Sequence, residues 1–464
     1  MLVLYLTILI IFLGYFTIIY GLWKFGIFKK YNISLFGPII MWRTKRGRKF
    51  IDRLSHRRTL WRWYGNLGIA LCTFSMIIMF FLLFLGAIVA ISIRTDPIPP
   101  QQILVLPGLN PIIPLWYGIF ALAVAIIVHE FSHGILARRV KIKLKSLGVL
   151  LFIVPIGAFV EPDEKQMEKI NRRDRARIFS AGLTTNIILA LICAAIFSWG
   201  FMASLQPVKD GILVLNVTEG APAEEAGIES GMILTEVEYI DQNGTMVEHV
   251  DIKTKTDFVK FMDVRSSNDM INITAYFEHR TIQFNNITLA DQYNYTNRAE
   301  DRGKGFLGIG SRGVGEFKES LAHPVMSAGD DVDERRLNIM QYFFLPMDLK
   351  SNLLPFHSPV TEAYEVTGPL AGLPNSVFWV LSNTFYYLFW INILLGIFNA
   401  IPAIPLDGGY VFKDGMNAVL SRLLPKMDSK KREMYINSLS VSLAFLILIL
   451  IMMTFIGPYI LKFL

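Results

Sequence analysis

The pentapeptide His129-Glu130-Phe-Ser-His133 carries the strongest chemical signal in the chain. On a helix, residues four apart lie one turn above the other on one face. Two imidazoles so placed can grip one metal ion, with Glu130 beside the first to polarise a metal-bound water. The surroundings sharpen this reading, because the run Pro97–Val128 before the motif is uncharged. An ionisable group at a bilayer centre costs at least ~2.5–3.5 kcal/mol, so such groups mark functional sites more often than satisfied core clusters. A catalytic site of this kind needs three protein ligands and one open position. No third His follows at useful spacing in the same run. The best candidate is Asp407, in Asn399-Ala-Ile-Pro402-Ala-Ile-Pro405-Leu406-Asp407-Gly408-Gly409. Pro402 and Pro405 end a helix, since each lacks a backbone donor and clashes with the preceding turn. Asp407 is then expected in a non-helical bend at the same end of its span as His129 and His133. Read alone, Pro-Leu-Asp-Gly-Gly is a turn at a membrane edge with Asp as a cap.

The elements that must position these residues follow from composition. Of 464 residues, 53% are hydrophobic and 18% charged, where an ordinary soluble domain carries about a quarter charged. The two cysteines exclude a disulfide scaffold and Cys-rich zinc modules. Six uncharged runs reach the ~20 residues a helix needs to cross a hydrocarbon core. They are Met1–Trp23, Trp63–Ile93, Pro97–Val128, Ile178–Val208, Val366–Leu406 and Met434–Leu461. The first has no basic leader and no small-residue cleavage site, so it reads as a span and not a signal peptide. Ser146–Val160, interrupted by Gly148, Pro155 and Gly157, is short for a span. It reads as a re-entrant or interfacial segment, strand-like at Val149, Leu151, Ile153 and Val154.

The net charge of +7 would suggest nucleic acid, but its distribution points to a membrane instead. Lys24–Arg62 holds 12 Lys/Arg against the single acid Asp52, Arg138–Lys145 five and Lys165–Arg177 six. The positive-inside rule puts these segments in the cytoplasm. Gln206–Asn375 then lies outside, with a net charge of −12 against +19 for the remainder. It carries five Asn-x-Thr sequons, at Asn216, Asn243, Asn272, Asn286 and Asn294, acceptors that serve only outside the cytoplasm. His129 and His133 precede the cytoplasmic Arg138 by nine and five residues, placing a bound metal roughly 7–14 Å below that surface.

HEFSH in one span and NAIPAIPLDGG in a later one resemble the paired signatures of the site-2 protease family of intramembrane zinc metalloproteases. The resemblance implies His129, His133 and Asp407 as zinc ligands and Glu130 as the catalytic base. Ser180-Ala-Gly182-Leu-Thr-Thr-Asn186 is a partial match to the family's Gly-Pro-x-x-Asn, with Leu183 in place of Pro. Gly182 would allow close helix approach. Asn186 and Asn399 are candidates to hydrogen-bond the substrate backbone or the oxyanion, or else stitch two helices together. Gly220-Ala-Pro222-Ala-Glu-Glu-Ala226-Gly227-Ile228-Glu-Ser-Gly231-Met232 is similar to a stretch of PDZ domains, with Met232 where Asp is usual. There Gly211–Val217 would form a peptide-binding edge and Phe306–Ile309 a closing strand.

The expected protein is an α-helical polytopic membrane protein of about six transmembrane helices, with an inserted extracytoplasmic α+β PDZ-like domain and a re-entrant strand-like segment. Its regions are an N-terminal pair with a basic loop (1–94), a first catalytic half (114–205), the PDZ-like domain (206–320), a linker (321–375) and a second catalytic half (376–464). The expected activity is zinc-dependent hydrolysis of peptide bonds in transmembrane protein substrates within the lipid bilayer. The PDZ-like domain would meet a peptide or a substrate ectodomain. A strand from Leu147–Phe159 would hold an unwound substrate by edge pairing. A membrane scaffold with an inert cluster and a metal transporter are the alternatives. Neither needs a carboxylate beside the first His.

Overall fold

The protein was analysed as a computed structural model that describes residues 2–463, apart from 32, 93–98, 100–106, 109, 111, 153, 242, 325–341, 344, 347–355 and 358–359. The chain divides into two compact units. The first comprises residues 1–107, 115–192 and 387–464, the second 108–114 and 193–386.

In the first unit, helix α1 (Leu2–Lys24) is followed by strands β1 (Ile33–Phe36) and β2 (Ile39–Thr44). Helices α2 (Arg48–Ser55), α3 (Arg58–Ser92) and α4 (Leu115–Arg139) come next, then β3 (Leu144–Phe152), β4 (Val154–Pro162) and α5 (Arg172–Ala195). The strands form an antiparallel sheet in the order β1-β2-β3-β4, so among the described residues β4 is an end strand with one open edge. The strand-like expectation for Ser146–Val160 thus resolves into a hairpin, with β2 from the basic loop completing it. Gly148 is required there: a Cβ would lie 2.3 Å from the Phe159 ring and 2.5 Å from the Trp42 carbonyl. Ile51, Leu136, Ile142, Ile178 and Ala181 form a buried cluster among α2, α4, α5 and the turn into β3. This cluster fixes α4 against its neighbours just past His133.

The second unit contains β5 (Leu205–Pro207), β6 (Ile212–Val217), β7 (Ile233–Ile240), β8 (Met246–Asp251), α6 (Lys255–Asp263), β9 (Met270–Phe277), β10 (Arg280–Thr288), β11 (Ile309–Gly313) and β12 (Tyr364–Val366). Its main sheet runs β10-β9-β7-β6-β11, with β8 paired to β7. Ile212, Val214, Leu234, Val237, Ile271 and Ile273 fill the core from alternating strand positions, and Phe258 and Phe261 of α6 close it. Thr254 and Asp257 form a capping box at the start of α6. The segment Gly211–Val217, expected as a peptide-binding edge, is an inner strand: β11 pairs with β6 from Ile212 to Val217, while β7 registers with Ile212 and Leu213 alone. The end strands of that sheet are β10 and β11. Part of the expected linker is structured: β12 pairs antiparallel with β5.

The first unit resumes within α7 (Asn375–Asn399) and continues through α8 (Asp407–Leu423) and α9 (Ser429–Phe463). Five described helices are long and apolar enough to cross a membrane: α3, α4, α5 with its continuation to Ser204, α7 and α9. The sixth expected run is the 23-residue apolar helix α1. Within the third run a helix begins at Leu115 and continues through the histidine motif to Arg139, while residues 97–98, 100–106, 109 and 111 of that run lie outside the described residues.

Candidate metal centre

Helix α4 supplies His129, Glu130 and His133 from consecutive turns, and the two imidazole centroids lie 4.8 Å apart. The third group arrives from a chain reversal. Helix α7 stops at Asn399, before Pro402 and Pro405, and a tight turn through residues 400–406 leads into α8. Asp407 is the first residue of that helix, not part of a non-helical bend as its flanking prolines suggest. Two glycines make the reversal possible. A Cβ at Gly408 would lie 2.2 Å from the Ala400 carbonyl oxygen, and one at Gly409 2.6 Å from the Ile404 nitrogen. The helix therefore starts directly against the turn that precedes it. Leu183, Ala400, Val411 and Cys72 pack together as a buried apolar cluster beside the turn. Further along, the Arg175 guanidinium grips the buried carboxylate of Asp414 with two hydrogen bonds, and Arg172 bonds Asn417. These contacts tie α8 to α5 two turns beyond Asp407.

The three side chains converge. Asp407 Oδ2 lies 3.1 Å from His129 Nε2 and 3.2 Å from His133 Nε2, and the three ligand atoms fall within 4.8 Å of one another. Oδ2 is buried and has no hydrogen-bond partner, so these atoms share a focus without being satisfied by one another. Two ring nitrogens and one carboxylate oxygen suit a catalytic zinc site with an open fourth position. As ligands, the carboxylate must be ionised and both imidazoles neutral.

Around this focus the chain holds each group from behind. His133 Nδ1 donates to the Ile178 carbonyl at 2.7 Å, which leaves Nε2 free to bind metal. His129 Nδ1 faces the Asn186 amide nitrogen at 3.3 Å. Gly182, one turn before Asn186, makes room for the ring: a Cβ there would lie 2.4 Å from both Cε1 and Nε2 of His129. Glu130 accepts a hydrogen bond from the Val160 amide of β4 at 3.0 Å. Of the two asparagines expected at the substrate, Asn186 is fully buried against His129. Asn399 is half-buried and donates to the Leu395 carbonyl of its own helix. Gly396 brings α7 close to Asn186 and Ile187. The backbone partners Ile178 and Val160 have no signature in the sequence, because every residue carries the same carbonyl and amide.

The model of peptidase family M50 matches residues 117–449, a stretch that holds all of these groups. An uncharacterized protein of Methanocaldococcus jannaschii is 26% identical over 384 residues, covering 82% of this chain and 79% of its own. Metalloprotease MmpA of Caulobacter vibrioides is 22% identical over 369 residues, covering 66% and 87% respectively.

Proposed function

The chain belongs to peptidase family M50, the site-2 protease family, and from that premise we propose that it hydrolyses peptide bonds within or beside transmembrane segments of other membrane proteins. The observation that carries the reading is the convergence of His129, His133 and Asp407 next to Glu130. Zinc is the metal; when bound, it supplies the Lewis acidity that lowers the pKa of a water toward ~7 and polarises a carbonyl. His129, His133 and Asp407 hold it. Glu130 accepts the proton of the attacking water and delivers it to the leaving amine. Asn399 is the remaining polar candidate for the substrate backbone.

A transmembrane helix is a poor substrate until it unwinds, because its carbonyls are engaged. The open edge of β4 is suited to receive the extended form as an added strand. A small cavity of ≈ 30 Å³ lies between α4 and the sheet, lined by Ala123, Ile126 and Ile127 of α4 and by Val149, Gly157 and Ala158 of β3 and β4. Its helical side is one turn before His129.

The charge asymmetry and the sequons support a second unit that is extracytoplasmic and a metal site near the cytoplasmic surface. In this arrangement the second unit, the PDZ-like domain, screens substrates by their ectodomains or free ends.

The test is Glu130→Gln in purified protein offered a panel of transmembrane peptides. An amide cannot accept the water's proton, so cleavage is expected to fall by at least about 10²–10⁴-fold while bound zinc is retained. Near-normal turnover would remove Glu130 from the mechanism.

A further inference from the structure

Asn186 stands apart from the other polar groups near the site. It is fully buried, so it presents no exposed atom to a substrate. Its amide nitrogen faces His129 Nδ1 at 3.3 Å, and its Oδ1 is buried with no hydrogen-bond partner. An orphaned buried acceptor is costly, because its desolvation is not repaid. A ring nitrogen with no acceptor beside it leaves the histidine free to choose between its two neutral tautomers. Half a turn of the Asn186 amide, whose oxygen and nitrogen are nearly the same size, would set its oxygen against His129 Nδ1 and move the NH2 group to where Oδ1 lies. Oδ1 then accepts a hydrogen bond from Nδ1–H, and the lone pair of the ring is left on Nε2, the atom that faces Asp407. His133 already has this arrangement, with the Ile178 carbonyl as its acceptor.

We propose that Asn186 is a positioning residue for zinc: its Oδ1 accepts the His129 Nδ1–H and fixes the tautomer and ring orientation that direct Nε2 to the metal. The proposal rests on the zinc reading above and departs from a substrate or oxyanion role for this residue. Gly182 completes the device. With no side chain there, the imidazole can sit where a Cβ would be 2.4 Å from Cε1 and Nε2, close against α5 and beside the Asn186 amide.

The experiment measures zinc affinity of the full-length protein by chelator competition, with the absorption spectrum of the cobalt-substituted form as a second readout. Asn186→Leu removes the acceptor and is expected to weaken zinc binding by about 10–100-fold, the usual cost of losing an outer partner of a metal-bound His. The cobalt spectrum should change with it. Asn186→Asp keeps an acceptor at the same place and is expected to hold zinc at least as tightly as the native residue. Native zinc affinity in Asn186→Leu together with reduced turnover would overturn the proposal in favour of a substrate contact. Equal weakening in both variants would also overturn it, since it would show that packing and not the acceptor matters. A native chain that binds no zinc would overturn the zinc reading itself, an outcome distinct from either of these.

Discussion

The metal site draws on two regions built on opposite principles. Helix α4 delivers His129 and His133 by local geometry, because four residues make one turn and any intact helix sets them side by side. The reversal at residues 400–409 delivers Asp407 by close backbone approach, and it exists only because Gly408 and Gly409 have no side chains. The first region can lose a ligand and keep its shape. The second holds its ligand and its shape by the same contacts. Damage should therefore be chemical in one and architectural in the other.

The largest effect expected is from the ligands themselves, where the regions should behave alike. His129→Ala, His133→Ala and Asp407→Ala each remove one of three donors, so zinc content should fall from one per chain to a small fraction. Full zinc occupancy in Asp407→Ala would show that the reversal does not supply a ligand. Gly408→Ala should come next and separate the regions, because its new methyl meets backbone at 2.2 Å. Zinc should be lost together with about 1–3 kcal/mol or more of stability, read as a lowered thermal midpoint. The counterpart in the helical region is Gly182→Ala, whose methyl meets only a ring that can move. Zinc affinity should drop by about 10–100-fold while the thermal midpoint of the metal-free protein changes little. If both alanine variants lose stability equally, the distinction between the regions fails. The smallest effect should come from Asp414→Asn, which keeps the shape of the side chain but removes its charge from the Arg175 pair. Loosening α8 two turns beyond Asp407 should cost about 1–2 kcal/mol and lower zinc affinity by only a few-fold, since the charge lost is buried but Arg175 stays partly wet. An unchanged thermal midpoint would show that the pair does not hold α8.

These two regions were also unequally legible. Histidine spacing announces its own geometry, so His129, Glu130 and His133 could be named as candidates from the sequence together with their helix. Asp407 could be named as the third group, but its prolines suggested a bend, whereas the residue opens α8. Hydropathy located the long apolar runs but does not itself mark where α4 begins, because Pro97–Pro114 is as uncharged as the helix that follows. Strands β1 and β2 went unread: a basic loop gives no alternating pattern strong enough to separate four to six residues of strand from their surroundings. In the second unit the Ala-Pro-Ala and glycine pattern pointed to a PDZ-like sheet, but which strand lies at its edge depends on long-range pairing. The partner of β6 comes from about ninety-five residues later, at Ile309–Gly313.

The hydrogen bond from the Val160 amide to Glu130 has a consequence for any chain that docks along β4. That amide is a single well-aligned proton donor at the open edge, and it already has an acceptor. An incoming backbone carbonyl at this position must displace the Glu130 carboxylate or remain unpaired. A docked chain that reaches Val160 and a tethered Glu130 are therefore mutually exclusive states of one proton, and the exchange between them would release the carboxylate when the edge is filled to that residue.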